Sequence, residues 1–407
     1  MKMLFRKSII LLFIFGALSC EQKKEEAQEV APPAETWQFS IDGAFAQAEE
    51  QLLLAVKNYP DPTLFPRTNE KDGKVQLVKW NDWTSGFFPG TLWLSYEQSN
   101  NEALKAEAEK RTEALEENQH NDRTHDTGFM VYCSYGEGLR VAGKEDYKPV
   151  MIQTAKTLST RFDPTVGCIK SWDWGAREGW EYPVIVDNMM NLELLYWAAK
   201  ETGDTTFSHI ATTHALTTMA NHYREDMSCY HVIDYYPEDG SVRNRNTHQG
   251  FSDDSAWARG QAWGLYGFTL CYEETGDERF LEHAKKIAAY LMNHPRMPED
   301  KVPYWDFDAP DIPNAPRDAS AGALIASALI NLSTLVEDTS SKVYFDFAKD
   351  IVKSLASPEY AAEPGTNNFF LLKHSTGNLP GDKEIDVPLN YADYYYLEAL
   401  HRLKKAM

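Results

Sequence analysis

Past residue 37, apolar positions recur at spacings of three and four, and long two-residue alternation is scarce. That period predicts helices. Candidate helices start near Ile41, Gly86, Glu102, Asp126, Tyr147, Val184, Thr206, Ser255, Glu278, Ala319, Lys342 and Tyr391, twelve in all. A weak internal repeat punctuates them. Glu201-Thr202-Gly203-Asp204 recurs as Glu274-Thr275-Gly276-Asp277, and Val141-Ala142-Gly143-Lys144 before Tyr147 reads as a third copy. The first two precede runs with Ala at helical intervals: Phe207, Ala211, Ala215 and Phe280, Ala284, Ala288. Gly suits the position just past a helix end, and Asp caps the next helix. The repeat is therefore a tight turn in a helical hairpin. Twelve helices in six hairpins predict an all-α closed toroid, an (α/α)6 barrel, in preference to an open solenoid. No low-complexity break follows residue 37, so 37–407 reads as one domain. In a toroid the long loops collect at one end. Here those loops, Trp172 to Glu181 and Tyr230 to Asp254, are rich in Trp and His.

The N-terminus follows a different pattern. Lys2, Arg6 and Lys7 precede a short apolar run from Ile9 to Leu18, too short to span a bilayer comfortably. Gly16-Ala17-Leu18-Ser19-Cys20 then resembles a bacterial lipobox. Residues 1–20 are expected to form a lipoprotein signal peptide ending at a lipidated Cys20, and the polar segment 21–36 a flexible tether. The expected location is outside the cytoplasm, on a membrane by lipid anchor only, at the outer membrane or facing the periplasm. A net charge of -21 argues against a nucleic-acid partner. Cys133, Cys168, Cys229 and Cys271 form no CxxC pair, so no zinc site and no cofactor are expected. Free buried thiols are the default for them, although export permits a disulfide.

Two carboxylates sit in unusual company. Asp187 interrupts the apolar run Val184-Ile185-Val186-Asp187-Asn188-Met189-Met190, read as helical. Asp126 lies in Thr124-His125-Asp126-Thr127-Gly128-Phe129-Met130. A buried carboxylate has a raised pKa and can hold a proton near neutrality. Paired carboxyls of this kind serve acid/base chemistry on sugars. The competing reading of each is an ordinary helix cap. Loop tryptophans (Trp80, Trp83, Trp172, Trp174, Trp180) offer flat faces for sugar C–H groups. If a helix begins near Ser255, Arg259 and Trp263 share one face, and Arg259 suits a substrate carboxylate. An intrahelical pairing of Arg259 with Ser255 or Asp254 is the alternative.

Four segments together carry a family resemblance: Trp83-Thr84-Ser85-Gly86-Phe87-Phe88-Pro89-Gly90-Thr91-Leu92-Trp93, the His125-to-Phe129 run, Asp187-Asn188-Met189-Met190-Asn191, and Trp257-Ala258-Arg259-Gly260-Gln261-Ala262-Trp263. In order and separation they resemble the unsaturated glucuronyl hydrolases of glycoside hydrolase family 88, over about residues 37 to 407. The resemblance implies an (α/α)6 barrel. It also implies a substrate with a 4,5-unsaturated uronic acid at its non-reducing end, as polysaccharide lyases leave. It makes Asp187 the general acid/base and Asp126 its essential partner. It places Trp80, Trp172, His231, Gln249, Trp257, Arg259 and Trp263 around the sugar. The implied reaction is hydration of a vinyl ether. C4 takes a proton, water adds at C5, and the hemiketal opens. The alternatives are an unsaturated rhamnogalacturonyl hydrolase of family 105, a non-catalytic sugar-binding surface lipoprotein, and an epimerase using His231 and His248.

Overall fold

The computed structural model describes residues 38–407. The lipidation expected at Cys20, with its signal segment and tether, lies outside the described residues. In chain order the helices are α1 (Ile41–Asn58), α2 (Phe87–Ser99), α3 (Glu102–Glu113), α4 (Thr127–Val131), α5 (Glu137–Ala142), α6 (Lys148–Ser159) and α7 (Leu192–Thr202). Then come α8 (Thr205–Asn221), α9 (Ala258–Thr275), α10 (Glu278–Asn293), α11 (Ala319–Leu335), α12 (Ser340–Leu355) and α13 (Asn390–Ala406). One wide π turn, Tyr132–Gly136, joins α4 to α5 into a single rod, so the thirteen segments form twelve helices among the described residues.

Packing divides these rods into two rings. Each of α2, α4–α5, α7, α9, α11 and α13 packs on the next, and α13 returns to α2, which closes the ring. The alternate helices α1, α3, α6, α8, α10 and α12 lie outside. Position explains composition. Every residue of α9 from Ala258 to Cys271 is buried, and α11 is buried almost throughout. A helix covered on all sides must be apolar or small all round. By contrast α10 buries one stripe, Phe280, Leu281, His283, Ala284, Ile287, Ala288 and Leu291, the period of a surface helix.

The repeated turn forms as the sequence predicts. Gly203 and Gly276 end their helices at φ 75° and 66°. Asp204 and Asp277 then accept the amides of Thr206 (2.9 Å) and Arg279 (3.0 Å). The four cysteines among the described residues are free and buried.

Two expected boundaries are wrong. No helix starts at Val184. Tyr182–Ile185 is a strand, Val186–Asn191 a 3-10 turn, and helix begins only at Leu192. The helix expected from Ser255 begins at Ala258. Short antiparallel ribbons β1 (Phe65–Asn69) with β2 (Val75–Val78) and β3 (Phe162–Asp163) with β4 (Cys168–Ile169) line the loops. A three-stranded sheet pairs β5 (Tyr182–Ile185) with β6 (Val232–Tyr235), and β6 with β7 (Val242–Asn246). Its apolar strands are buried on both faces, so they do not alternate, and periodicity alone cannot tell them from helix.

Glycine permits a close inner-ring contact at Gly90. A Cβ on Gly90 would meet the Cys133 carbonyl oxygen at 2.3 Å and the Tyr394 ring at 2.7 Å. Helix propensity favours Ala over Gly by about 1 kcal/mol. Overpacking against backbone reaches about 3 kcal/mol, which outweighs it. Gly90→Ala should therefore lower stability by about 1–2 kcal/mol, read as a reduced urea midpoint. An unchanged midpoint would mean that α2 and the π turn separate freely.

Candidate active site

The N-terminal ends of the inner helices converge on one cleft of about 460 Å³. Its walls include Trp83, Asp126, Phe129, Trp172, Asp187 and Gln249. A second cavity, about 530 Å³, has Glu97, Glu137, Glu193, Glu273 and Glu398 on its walls. It holds none of the predicted residues.

The three-stranded sheet assembles the site from distant sequence. Asp187 follows β5, His231 precedes β6, and His248 and Gln249 follow β7. The Val186 amide donates to the His231 carbonyl at 3.1 Å. The amides of His248 and Gln249 both donate to His231 Nδ1, at 3.1 and 3.2 Å. Nδ1 is thus an acceptor, so in the neutral ring the proton is on Nε2. Nε2 lies 3.5 Å from Asp187 Oδ2. Burial, with the neighbouring charges of His248 and Arg259, holds the His231 imidazole neutral, well below its usual range. A ring fixed this way is a poor partner for the acid/base pair that an epimerase would need.

Asp187 and Asp126 have opposite settings. Burial pushes the Asp187 carboxyl up to about 7, against the pull of Arg259. The Asp126 charge adds to the rise, but it is the least of the causes. At Asp126 the same burial is outweighed by His125, whose Nε2 lies 3.1 Å away, and by the Thr124 hydroxyl at 2.5 Å, so its carboxyl stays below the usual value. One carboxyl is poised to carry a proton near neutrality and the other to stay ionised.

Asp126 occupies the N-cap position of α4, yet its side chain makes no cap hydrogen bond. Asn191 supplies that bond instead. Its Oδ1 accepts the Phe129 amide at 3.0 Å, and its Nδ2 donates to Asn188 Oδ1 at 3.1 Å. Asn188 in turn donates to the Ile169 carbonyl at 2.8 Å. These two amides dock the Asp187 turn on α4 and leave the Asp126 carboxylate facing the cleft.

Arg259 is not the free fork that the sequence implied. Its Nη1 donates to Asp318 Oδ2 and the Thr376 carbonyl, both at 2.7 Å, and its Nη2 donates to the Gly377 carbonyl at 2.7 Å. Its partner is Asp318, neither Ser255 nor Asp254. The guanidinium lies 4.5 Å from the Trp257 ring centroid and 5.3 Å from that of Tyr391. Only Nε lacks a partner. Arg259 therefore acts on the cleft mainly as a fixed positive charge and as the tie holding residues 376–377.

The remaining predicted residues divide into wall and backing. Trp172 and Gln249 line the cleft, and Gln249 Nε2 donates to the Gly377 carbonyl at 3.1 Å. Trp257 backs His231, their rings 4.5 Å apart. Trp263 is buried beneath, parallel to Phe129 at 6.4 Å. Trp80 is not among the residues lining the cleft. Its ring packs on the core and its carbonyl accepts from Ser85 and Asn118. Trp83, three residues on, takes the place expected for Trp80. Sequence reasoning also gave no role to His125, Asn191 or Asp318, or to Arg123 and Lys383, which line the cleft. The asparagines beside Asp187 were the available signal, since an apolar turn has no other use for two amides.

No family model matches the chain. A curated relative from Formosa agariphila, named unsaturated glucuronyl hydrolase, is 44% identical over 402 residues, covering 98% of each chain. One of the same name from Bacillus sp. (strain GL1) is 33% identical over 376 residues, 91% of this chain and 97% of that one. Among solved structures, an unsaturated glucuronyl hydrolase described as specific for heparin superposes with a TM-score of 0.87 at 53% identity, covering 90% of this chain and 97% of its own. With its closed double ring of helices and a carboxylate pair at the inner N-termini, the chain belongs to the unsaturated glucuronyl hydrolases, a family of glycosidases.

Proposed function

We propose that the protein releases a 4,5-unsaturated uronic acid from the non-reducing end of oligosaccharides made by polysaccharide lyases, by hydrating the C4=C5 bond. The observation that carries this reading is the carboxyl pair set apart: Asp187 raised to about 7 and Asp126 held ionised in the same cleft. Asp187 donates its proton to C4. Positive charge then builds at C5 and the ring oxygen, where ionised Asp126 opposes it. Asp187, now a carboxylate, takes a proton from the water that adds to C5, and the hemiketal opens. His231 Nε2–H, facing Asp187, orients that water or the uronate. The spacing rule for ordinary glycosidases does not apply, because nothing is displaced at the anomeric carbon.

The substrate is an anion and the protein carries -21. Local groups must reverse that field. Helix N-termini present partial positive charge, and the inner helices direct theirs here. Arg123 and Lys383 line the cleft and enter no ion pair among the described residues. Gln249 and His231 Nε2 take over the carboxylate contact that the sequence assigned to Arg259. Because the 53% identical neighbour is described as specific for heparin, unsaturated heparin-type disaccharides come first in the assay panel. The lipobox at Cys20 supports attachment of the enzyme to a membrane by lipid.

Asp187→Asn keeps the shape and removes the transferable proton. Turnover should fall at least ~100-fold with KM little changed. In the wild type kcat/KM should decline as pH rises through about 7, because the acid must be protonated. Stability shows the linked effect. The folded pKa exceeds the unfolded value of about 4, so the native state binds the extra proton between them. Stability from this group therefore falls as pH rises from about 4 to about 7, then levels. Above pH 7, Asp187→Asn should unfold later than the wild type. Undiminished wild-type activity at pH 9 would remove Asp187 as the acid.

Arg259→Ala leaves Asp318 buried and unpaired. Breaking such a pair costs about 3–5 kcal/mol, so the unfolding midpoint should drop sharply, with kcat/KM down at least about tenfold. Asp318→Asn should share part of both losses. A rise in KM with stability intact would show instead that the guanidinium binds substrate directly.

Cys20→Ala should move the protein from the membrane fraction to the soluble fraction, because the acyl chains supply the binding energy. Unchanged fractionation would refute the lipid anchor.

A further inference from the structure

Trp174 is the exposed member of an aromatic cluster whose other members are buried or half-buried. It is 49% exposed and stands on the cleft wall. One face lies on Trp172, with ring centroids 4.3 Å apart and planes 19° from parallel. The His248 ring meets it edge-on at 5.1 Å, and Trp180 flanks it at 6.0 Å. Trp180 is itself anchored, its Nε1 donating to Asn246 Oδ1 at 3.1 Å. Gly175 follows at φ 119°, and a Cβ there would meet the Trp180 ring at 2.8 Å. The backbone after Trp174 is thus pressed against Trp180 in a conformation that needs glycine. Three aromatic neighbours hold the ring, and its second face meets solvent at the cleft mouth.

An ordered aromatic face of this kind matches the C–H face of a pyranose. The Asp187 side chain is 14% exposed against 49% for Trp174, so the terminal unsaturated sugar sits inward and the leaving chain runs outward. We infer that Trp174 stacks the second sugar of the leaving chain and so sets a preference for oligosaccharides over disaccharides. This rests on the hydrolase reading above. Trp174 touches no reacting atom, so it is a specificity residue. A structural role, propping Trp172, would instead affect substrates of every length equally.

The test compares the wild-type full chain with Trp174→Ala and Trp174→Phe on an unsaturated disaccharide and an unsaturated tetrasaccharide of one polysaccharide. Trp174→Ala should leave disaccharide kcat/KM within about twofold. It should raise tetrasaccharide KM about threefold to tenfold, the range of one aromatic stack, with kcat unchanged. Trp174→Phe should recover most of the loss. Binding of the tetrasaccharide to Asp187→Asn, with and without Trp174→Ala, should weaken by the same factor in a fluorescence titration. Equal losses on both substrates, or none on either, would overturn the inference. A wild type inert toward both substrates would fail the hydrolase reading instead, and the titration would still decide the role of Trp174.

Discussion

The buried pair of Arg259 and Asp318 is the interaction on which the site depends. Both side chains are almost wholly out of water, at 1% and 0% exposure. Removing two ions from water costs several kcal/mol each and is tolerated only with full partnering. Asp318 meets that condition by capping α11 through Ser320 with Oδ1 while holding Arg259 with Oδ2. Arg259 meets it by taking the carbonyls of Thr376 and Gly377. Three pieces of chain are thereby tied together at the cleft: the start of α9, the start of α11 and the segment before α13. The same charge restrains Asp187. Burial alone would push that carboxyl higher, and a carboxyl raised too far gives up its proton poorly. A value near 7 balances burial against Arg259, and acid/base catalysis works best near the operating pH.

Much of the scaffold was legible because it obeys local rules. The Gly-Asp turns read correctly since a helix end needs a left-handed residue and the next start needs an acceptor, whatever surrounds them. The helix count and the closed ring followed from that punctuation. The site was less legible. Tyr182 to Ile185 is apolar on consecutive positions because both faces of β5 are covered, and such a run reads equally as buried helix. Missing β5 to β7 meant missing why Asp187, His231 and His248 meet. That Trp83 rather than Trp80 lines the cleft was hard to read for a related reason. Both are tryptophans in one polar loop, and only the turn into α2 decides which ring faces the cleft.

Arg259 shows the limit of reasoning from charge. An arginine among aromatics in an acidic protein suggests a ligand carboxylate, and the chemistry of the guanidinium agrees. The sequence offered no sign that Asp318, 59 residues on, would occupy the same fork. In the proposed function the attraction for an anion is instead distributed. It draws on helix N-termini, on the rim cations Arg123 and Lys383, and on neutral donors at Gln249 and His231. Distributed donors suit a reaction whose charge moves, because a tight ion pair to the uronate would favour the ground state as much as the transition state.

The clearest mark of function is where the chain breaks its own rules. Asp204 and Asp277 stand at helix starts and cap them; Asp126 stands at a helix start and does not. Its cap is supplied from the turn that carries Asp187, through Asn191. A cap contributed by a distant asparagine adds nothing that Asp126 could not have supplied locally, so stability does not account for it. What it achieves is a carboxylate free of the backbone and held ionised by His125 and Thr124. The turn that delivers the cap also holds the second carboxyl in apolar surroundings. One hydrogen bond thus fixes the two acids relative to each other while leaving both open to the cleft. Local rules are expected to fail at functional sites, and here the failure at Asp126 and the burial of Asp187 have a common origin in Asn191.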